Sequence, residues 1–431
     1  MEGKVEFYRE TEFKDTEIGR IPKDWEAIRF GDIVNLVKGR RPREFANERI
    51  RDSLPYLSAE NLRNNNIVQF VKVSGDIILV DEGDLILIWD GSNAGEFFLG
   101  KRGVLSSTMV KILLKEKLYH GRFLFYLLKT KENYLKDQTK GTGIPHVDGT
   151  ILRSLVIPLP PLEEQQKIAE ILSNIDRAIQ KTDEIIDKTE SLKKGLMQEL
   201  LTKGIGHKEF KNTEMGRLPK DWEAKILVET AMLERGLSYS GREKSKDEIL
   251  NGYLFLTLNS IKEGGGLKED GWTWIKSDRL KERHFVREGD IVIANTDIGM
   301  QRGHILGAPA IVNFPEWYKK DKAVFSMDLS KLLFRISNMD VNFLFYYLSF
   351  VQPLARKYHT GTNVWHLNLD SWSRDLLIPL PPLEEQKKIA EILTIIDEKL
   401  ENLRREKTNL ERIRQWLMEE LLTGRIRVRI A

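Results

Sequence analysis

The chain contains no cysteine, which removes disulfides, thiolate metal sites and cysteine nucleophiles from consideration. Its seven histidines show no H-E-x-x-H or comparable ligand spacing, so the pattern does not call for zinc. No apolar run reaches eighteen residues and the opening MEGKVEFYRE has no signal-peptide core, so we expect a cytoplasmic protein with no membrane partner. Net charge is scarce as well: 68 Lys plus Arg against 65 Asp plus Glu leave +3, so any case for a polyanionic partner rests on local clusters.

What the chain does have is repetition. Residues 157–172 read IPLPPLEEQQKIAEIL and residues 378–393 repeat them with one change, Gln166 against Lys387. The Pro-Leu-Pro-Pro opening fixes φ and withholds amide donors, so the backbone arrives extended and a helix starts only afterwards. Apolar residues then recur at steps of three and four: Ile168, Leu172, Ile175, Ile179, Ile186, Leu196 and Leu200 in the first copy. The second copy runs through Ile389, Leu393, Ile396, Leu400, Leu403, Leu410, Leu417 and Leu421. That spacing predicts two long helices with a coiled-coil seam, each the natural partner of the other. Thr182, Thr189, Lys193, Lys407 and Arg414 interrupt the seam, and polar residues at such positions fix register and orientation at some cost in stability.

A second repeat precedes each globular stretch: FKDTEIGRIPKDWEA at 13–27 and FKNTEMGRLPKDWEA at 210–224, matching at 12 of 15 positions. Gly and Pro shape a turn there, and Trp25 or Trp222 supplies buried area. Between the repeats lie two segments alike in outline. Gly39 answers Gly236, Glu82-Gly83-Asp84 answers Glu288-Gly289-Asp290, FLFYLL from Phe123 answers FLFYYL from Phe343, and Gly141-Thr142 with His146 answers Gly361-Thr362 with His366. Short β-type runs such as LILI at Leu85 and IVIA at Ile291 alternate with turns, and each segment carries one helix-like stretch. We therefore expect α/β (α+β) globules in tandem, joined by two long helices in an antiparallel coiled coil, with a pseudo-twofold, nearly circular organisation.

With those residues in hand, the chain resembles the specificity (S) subunit of type I restriction-modification enzymes over essentially its whole length. The resemblance implies a first target-recognition domain at residues 1–157, a first conserved spacer helix at 158–205, a second target-recognition domain at 206–377, and a second spacer helix and tail at 378–431. It further implies that each globule reads one half of a bipartite, asymmetric double-stranded DNA target. The coiled coil would set the spacer and dock two modification (methyltransferase) subunits, and restriction/translocase subunits would join for cleavage. Two other readings stand beside it: a coiled-coil protein scaffold without DNA specificity, and a methyltransferase with fused recognition domains.

Candidate DNA contacts follow from residue chemistry. Lys38, Arg40, Arg41 and Arg43 form a dense basic loop, answered in the second half by Arg242, Lys244 and Lys246; such groups neutralise phosphates, and Arg can also fork onto guanine. Trp89, Ser92 and Asn93, and Asn295 with Thr296, each follow a strand-like run, with Gln301 and Arg302 close behind; amides and hydroxyls there suit base edges. Lys140 and Thr142, and Thr362, flank the glycine turns, whose backbone amides could face phosphate or simply make the turn.

Catalytic equipment is missing. The chain has no Asn-Pro or Asp-Pro dipeptide, hence no Asn/Asp-Pro-Pro-aromatic loop to hold a flipped adenine, and no glycine fingerprint of a dinucleotide-type cofactor fold. Residues 95–102, GEFFLGKR, mimic a P-loop, but Arg102 stands where Ser or Thr would hold magnesium. No nuclease pattern is evident. The expectation is a chain that is not an enzyme and binds no cofactor or metal, with S-adenosylmethionine, ATP and magnesium belonging to partner subunits.

Overall fold

Two prolines decide where each long helix can begin. Pro160-Pro161 and Pro381-Pro382 follow the strands Val156–Leu159 and Leu377–Leu380, and helix begins at Leu162 and Leu383. The computed structural model describes residues 6–64, 66–73, 75–115, 118–141, 143–298 and 303–429. The four longest helices among the described residues are α1 (Gly121–Lys129), α2 (Leu162–Lys203), α3 (Val341–Val351) and α4 (Leu383–Leu421). α2 has 42 residues and α4 has 39, both unbroken; each is roughly 60 Å long at a rise of 1.5 Å per residue. The chain divides into two compact units, residues 1–184 with 405–431 and residues 185–404, so each unit takes part of α2 and part of α4.

In the first unit, a four-stranded antiparallel sheet runs Phe97–Leu99, Leu85–Ile88, Met109–Leu114, Val34–Lys38. A second four-stranded sheet contains the unit's parallel pair, Ser53–Leu57 beside Gly103–Leu105. The LILI strand is buried along its whole length, which explains why it reads as a continuous apolar run rather than an alternation. Phe123, Leu124 and Leu127 of α1 close one face of this core together with Ile168 and Leu172 of α2 and Leu417 and Leu421 of α4. Strand Glu6–Arg9 pairs antiparallel with Ile426–Arg429, Glu6 opposite Arg429, so the two ends of the chain meet in one ladder as the circular pattern predicts.

The second unit repeats the plan. Its antiparallel sheet runs Ala231–Arg235, Leu329–Phe334, Ile291–Ala294, Pro309–Ile311, and its five-stranded sheet again holds one parallel pair, Tyr253–Leu256 beside Ala323–Phe325. Phe343, Leu344 and Tyr347 of α3 pack with Leu200 of α2 and with Ile389 and Leu393 of α4. Gly39 and Gly236 mark the same crossing in the two units. A Cβ on Gly39 would lie 1.9 Å from the Ser106 carbonyl oxygen, and one on Gly236 would lie 2.3 Å from that of Phe325, so no side chain fits.

The repeated Leu-Glu-Glu-Gln opening has a physical reason. Gln165 is fully buried: its Nε2 donates to the carbonyls of Leu118 (3.0 Å) and Pro160 (2.8 Å), and its Oε1 accepts from His120 N at 2.9 Å. Gln386 does the same with Asn338, Pro381 and Asp340. One amide thus satisfies three backbone groups where a helix start meets its globule, a burial that would be costly if left unpaired.

Within each unit the long helices pack antiparallel, partner numbers falling on one as they rise on the other. The first unit pairs Asp176 with Arg414 at 2.6 Å and Asp183 with Lys407 at 2.7 Å. The second pairs Glu190 with Arg404 at 2.6 Å and Lys193 with Asp397 at 2.5 Å, around Ile186, Leu400 and Leu403. Lys193, Lys407 and Arg414, the cations that interrupt the seam, are therefore each matched to a carboxylate across it. Thr182 and Thr189 instead bond back to the carbonyls of Ala178 and Ile185 on their own helix.

Candidate nucleic-acid interface

The first unit gathers three of the segments that carry candidate contacts. Strand Val34–Lys38 delivers Lys38, whose Nζ lies 2.9 Å from Asp90. Asp90 and Lys140 each bridge to His146, Gly91 N donates to Pro145 O at 2.9 Å, and Val147 N donates to Trp89 O at 2.9 Å. The basic loop, the turn carrying Trp89, Ser92 and Asn93, and the hairpin carrying Lys140 are thus adjacent. Thr142 lies outside the described residues.

Charge here is partly balanced from within. Lys38 pairs with Asp90, Arg40 with Asp76, and Lys140 with Asp148 at 2.6 Å, an interaction that holds the Asp148 carboxyl below its usual range together with the backbone N–H of Thr150. Arg41 and Arg43 are exposed and, among the described residues, pair with no carboxylate. They are the basic groups of this loop best placed to meet a phosphate.

The second unit builds the corresponding corner differently. Its hairpin pairs Thr360 with His366, and His366 also faces Thr296, as His146 faces Asp90 in the first unit. Asn295 and Thr296, however, are only 4% and 3% exposed. Asn295 Nδ2 donates to Ser330 Oγ at 2.9 Å, and Thr296 Oγ1 sits 3.3 Å from His366 Nδ1. These two residues therefore do not offer base-reading groups to solvent, which corrects the expectation from turn chemistry. Asn295 is enclosed by its neighbours in the sheet: its N–H donates to Asp328 O, its carbonyl accepts from Leu367 N, and Thr296 pairs with His366 of the hairpin. Gln301 and Arg302 lie outside the described residues.

Thr362 is exposed at the hairpin tip. Arg242 and Lys246 are exposed, whereas Lys244 is half-buried with its ammonium 5.9 Å from the Tyr239 ring centre. Between them Glu243 is held ionised, its pKa lowered to about 2 by hydrogen bonds from the Ser277 side chain, the Ser240 N–H and Arg279, so this cluster carries less net positive charge than its lysines and arginines suggest. An open cavity of about 610 Å³ lies beside the hairpin, lined among others by Arg235, Arg335, Thr360 and His366.

Two junctions escape a reading by motif. In the first unit Arg427 bonds Glu164 (2.7 Å from both Nε and Nη2), Asp24 (2.8 Å) and Glu10 (2.7 Å), while Trp25 Nε1 donates to the same Glu164 at 3.1 Å. In the second unit Trp222 Nε1 donates to Glu385 at 3.0 Å, and His207 takes the place of the arginine, its ring nitrogens 2.8 Å from Glu385 and 3.3 Å from Asp221. Among the described residues, these three are the group that could offer three ligand atoms to a metal ion. Their counterpart in the first unit is an ion-pair cluster around Arg427, and Glu385 already accepts from Trp222 and from Ile205 N, so the arrangement is that of a hydrogen-bonded junction. The P-loop mimic is a strand: Phe97–Leu99 pairs with Leu85–Leu87, and Lys101 donates to the carbonyls of Asn61 and Leu62.

Comparison with known proteins agrees with this architecture. The family model described as the type I restriction modification DNA specificity domain matches residues 22–191 and 238–412. The type I restriction enzyme MjaVIII specificity subunit of Methanocaldococcus jannaschii is 39% identical, with 99% of this chain and 98% of that protein covered. The putative MjaX specificity subunit of the same organism is 30% identical, with 99% of each covered. A crystal structure of a type I S subunit from M. genitalium shares the fold with a TM-score of 0.59 at 16% identity, covering 92% of this chain and 96% of that one. A chain from a structure described as underlying complex assembly and conformational transition of the type I R-M system gives 0.54 at 19% identity, covering 94% and 99%. With both repeats matched and relatives aligned over nearly the whole length, this chain belongs to the type I restriction-modification DNA specificity family.

Proposed function

We propose that this chain is the non-catalytic sequence-reading subunit of a type I restriction-modification complex, each globule reading one half of a split, asymmetric DNA target. The observation that carries the reading is a doubled frame with unlike rims. The two units keep the same Trp–Glu junction, the same buried Gln and the same hairpin, yet beyond the equivalent Gly39 and Gly236 one exposes Arg40, Arg41 and Arg43 and the other exposes Ser238 and Ser240. A repeated frame suits identical partners, and unlike rims suit unlike half-sites.

In this reading the continuous helices set the distance between the half-sites and dock two modification subunits, with restriction/translocase subunits joining for cleavage. Leu192 and Ile413, 55% and 47% exposed, stand at equivalent positions of α2 and α4 and are candidate docking residues. S-adenosylmethionine, ATP and magnesium would be held by those partners, and the complex would work in the cytoplasm. Among the described residues no helix is long and apolar enough to cross a membrane.

Co-expression with the modification subunit, followed by mapping of methylated adenines in the host genome, tests the proposal. A split motif with two different halves supports it, and the absence of any motif dependent on this chain overturns it.

A further inference from the structure

Beside α1 and the start of α2, the first unit has a groove of about 420 Å³ lined by His120, Arg122, Gln166, Glu170, Ser173 and Arg177. Its positive charge is not neutralised from within. Arg122 and Arg177 are exposed and, among the described residues, pair with no carboxylate; their bonds go to Ser173, at 3.5 Å and 3.4 Å, and from Arg177 to the Asn174 side chain. Glu170, the acid in the groove, is engaged by Lys167 at 2.8 Å. His120 Nδ1 is buried without a hydrogen-bond partner, which leaves one more polar atom unsatisfied at this place.

The second unit holds the same place in its own frame, and the equivalence is fixed by matched hydrogen bonds. Tyr126 donates to Asp176 as Tyr346 donates to Asp397, and His120 N reaches Gln165 as Asp340 N reaches Gln386. The rims differ in charge. Asp340 replaces His120, Asn342 replaces Arg122, Glu398 replaces Arg177, and Lys387, its ammonium 2.9 Å from Glu384, replaces Gln166. The floor hardly changes: Ala169 and Ala390 are both buried, and Ser173 is answered by Thr394. A partner approaching either helix start therefore meets the same framework bonds with a different rim charge.

We propose that the groove of the first unit receives an acidic side-chain segment of the docked modification subunit, and that the second copy of that subunit finds no such seat. This rests on the reading that two identical partners dock on the framework helices. Two guanidinium forks over a hydroxyl suit carboxylates in a geometry that lysine would not reproduce. The groove also lies on the repeated framework rather than on the divergent loops, which favours a protein carboxylate over a DNA phosphate. The consequence is that two chemically identical partners are held unequally, so the complex has a defined order of assembly.

The test is a titration of the full chain with its modification subunit, followed by calorimetry and by sedimentation for stoichiometry. Arg122→Glu with Arg177→Glu should weaken one of two binding events by about tenfold or more and leave the other unchanged. The reciprocal change, Asn342→Arg with Glu398→Arg, should strengthen the weaker event towards the stronger one, and it guards against a folding defect in the first variant. Two bound copies with neither event altered by either variant overturn the inference alone, as do two events that fall equally. A drop in duplex-DNA affinity with partner binding intact would assign the groove to phosphate and overturn it too. A wild-type chain that binds no modification subunit sinks the functional reading itself, and the inference with it.

Discussion

Trp25 donates its indole N–H to the carboxylate of Glu164 at 3.1 Å, across 139 residues of chain. That bond joins the two repeats that dominate the sequence, one ahead of the globule and one at the start of the long helix. The same carboxylate, 2% exposed, also takes the guanidinium of Arg427 from the C-terminal strand, so three distant segments converge on one buried acid.

Arg427→Met leaves Glu164 buried without its cation, and we expect a drop of about 3 kcal/mol or more in the denaturant stability of the first unit. The pH dependence has a definite sign. The carboxyls of Asp24 and Glu10 are lowered, that of Asp24 chiefly by its hydrogen bonds to Arg427 and that of Glu10 chiefly by the Glu12 N–H, with Arg427 contributing. Groups with depressed folded pKa values add stability above the ordinary carboxylate range and lose it as pH falls through the folded value. The gap between wild type and variant should therefore be widest near neutrality and narrow below about pH 4. Chemical melts at several pH values check this, and a gap that grows on acidification would contradict it.

Arg414 is one of the polar interruptions of the seam and meets Asp176 at 2.6 Å, both side chains partly exposed. Either single change to Ala should cost about 1 kcal/mol, with a coupling of similar size in the double-mutant cycle. The swap Asp176→Arg with Arg414→Asp should recover part of that stability. Thermal melts of the five proteins, wild type, the two single changes, the double Ala change and the swap, decide whether the pair holds the helices in register.

Inserting one heptad into α2 and one at the matched place in α4 keeps the seam and adds about 10 Å of helix. If the helices set the spacing, the methylated target should keep both half-sites while the gap between them grows by about three base pairs. An unchanged gap, read by methylation mapping, would remove the helices from that role.

Arg41→Glu with Arg43→Glu should lower duplex-DNA affinity at moderate salt and flatten the plot of log affinity against log salt by about 0.9 for each phosphate that is no longer neutralised. Asn295→Ala should instead lower thermal stability, because the side chain bonds Ser330 inside the second unit, and should leave the salt slope alone. An Arg41/Arg43 variant with an unchanged salt slope would take that loop out of the interface.

Much of the architecture was legible because it depends on local rules. Pro160-Pro161 forbids helix before Leu162, the three-and-four spacing from Ile168 gives an apolar edge, and the same text written twice gives two like units. The candidate contacts were less legible. The dipeptide Asn295-Thr296 reads as turn chemistry, and nothing near it in sequence shows that Asn295 will bond Ser330 and Thr296 will pair with His366. Arg427 and His207 share no motif, and their equivalence appears only once each is seen beside its Trp–Glu pair.

By itself, then, the sequence determined the doubled plan and the unbroken helices, because periodicity and proline chemistry act within a few residues of chain. Tertiary structure alone decided which charges remain available. Whether Arg41 or Arg40, Arg122 or Arg427, is left to face a partner depends on which carboxylates the fold carries to within a few ångströms of each, and that is a property of packing between segments far apart in the chain.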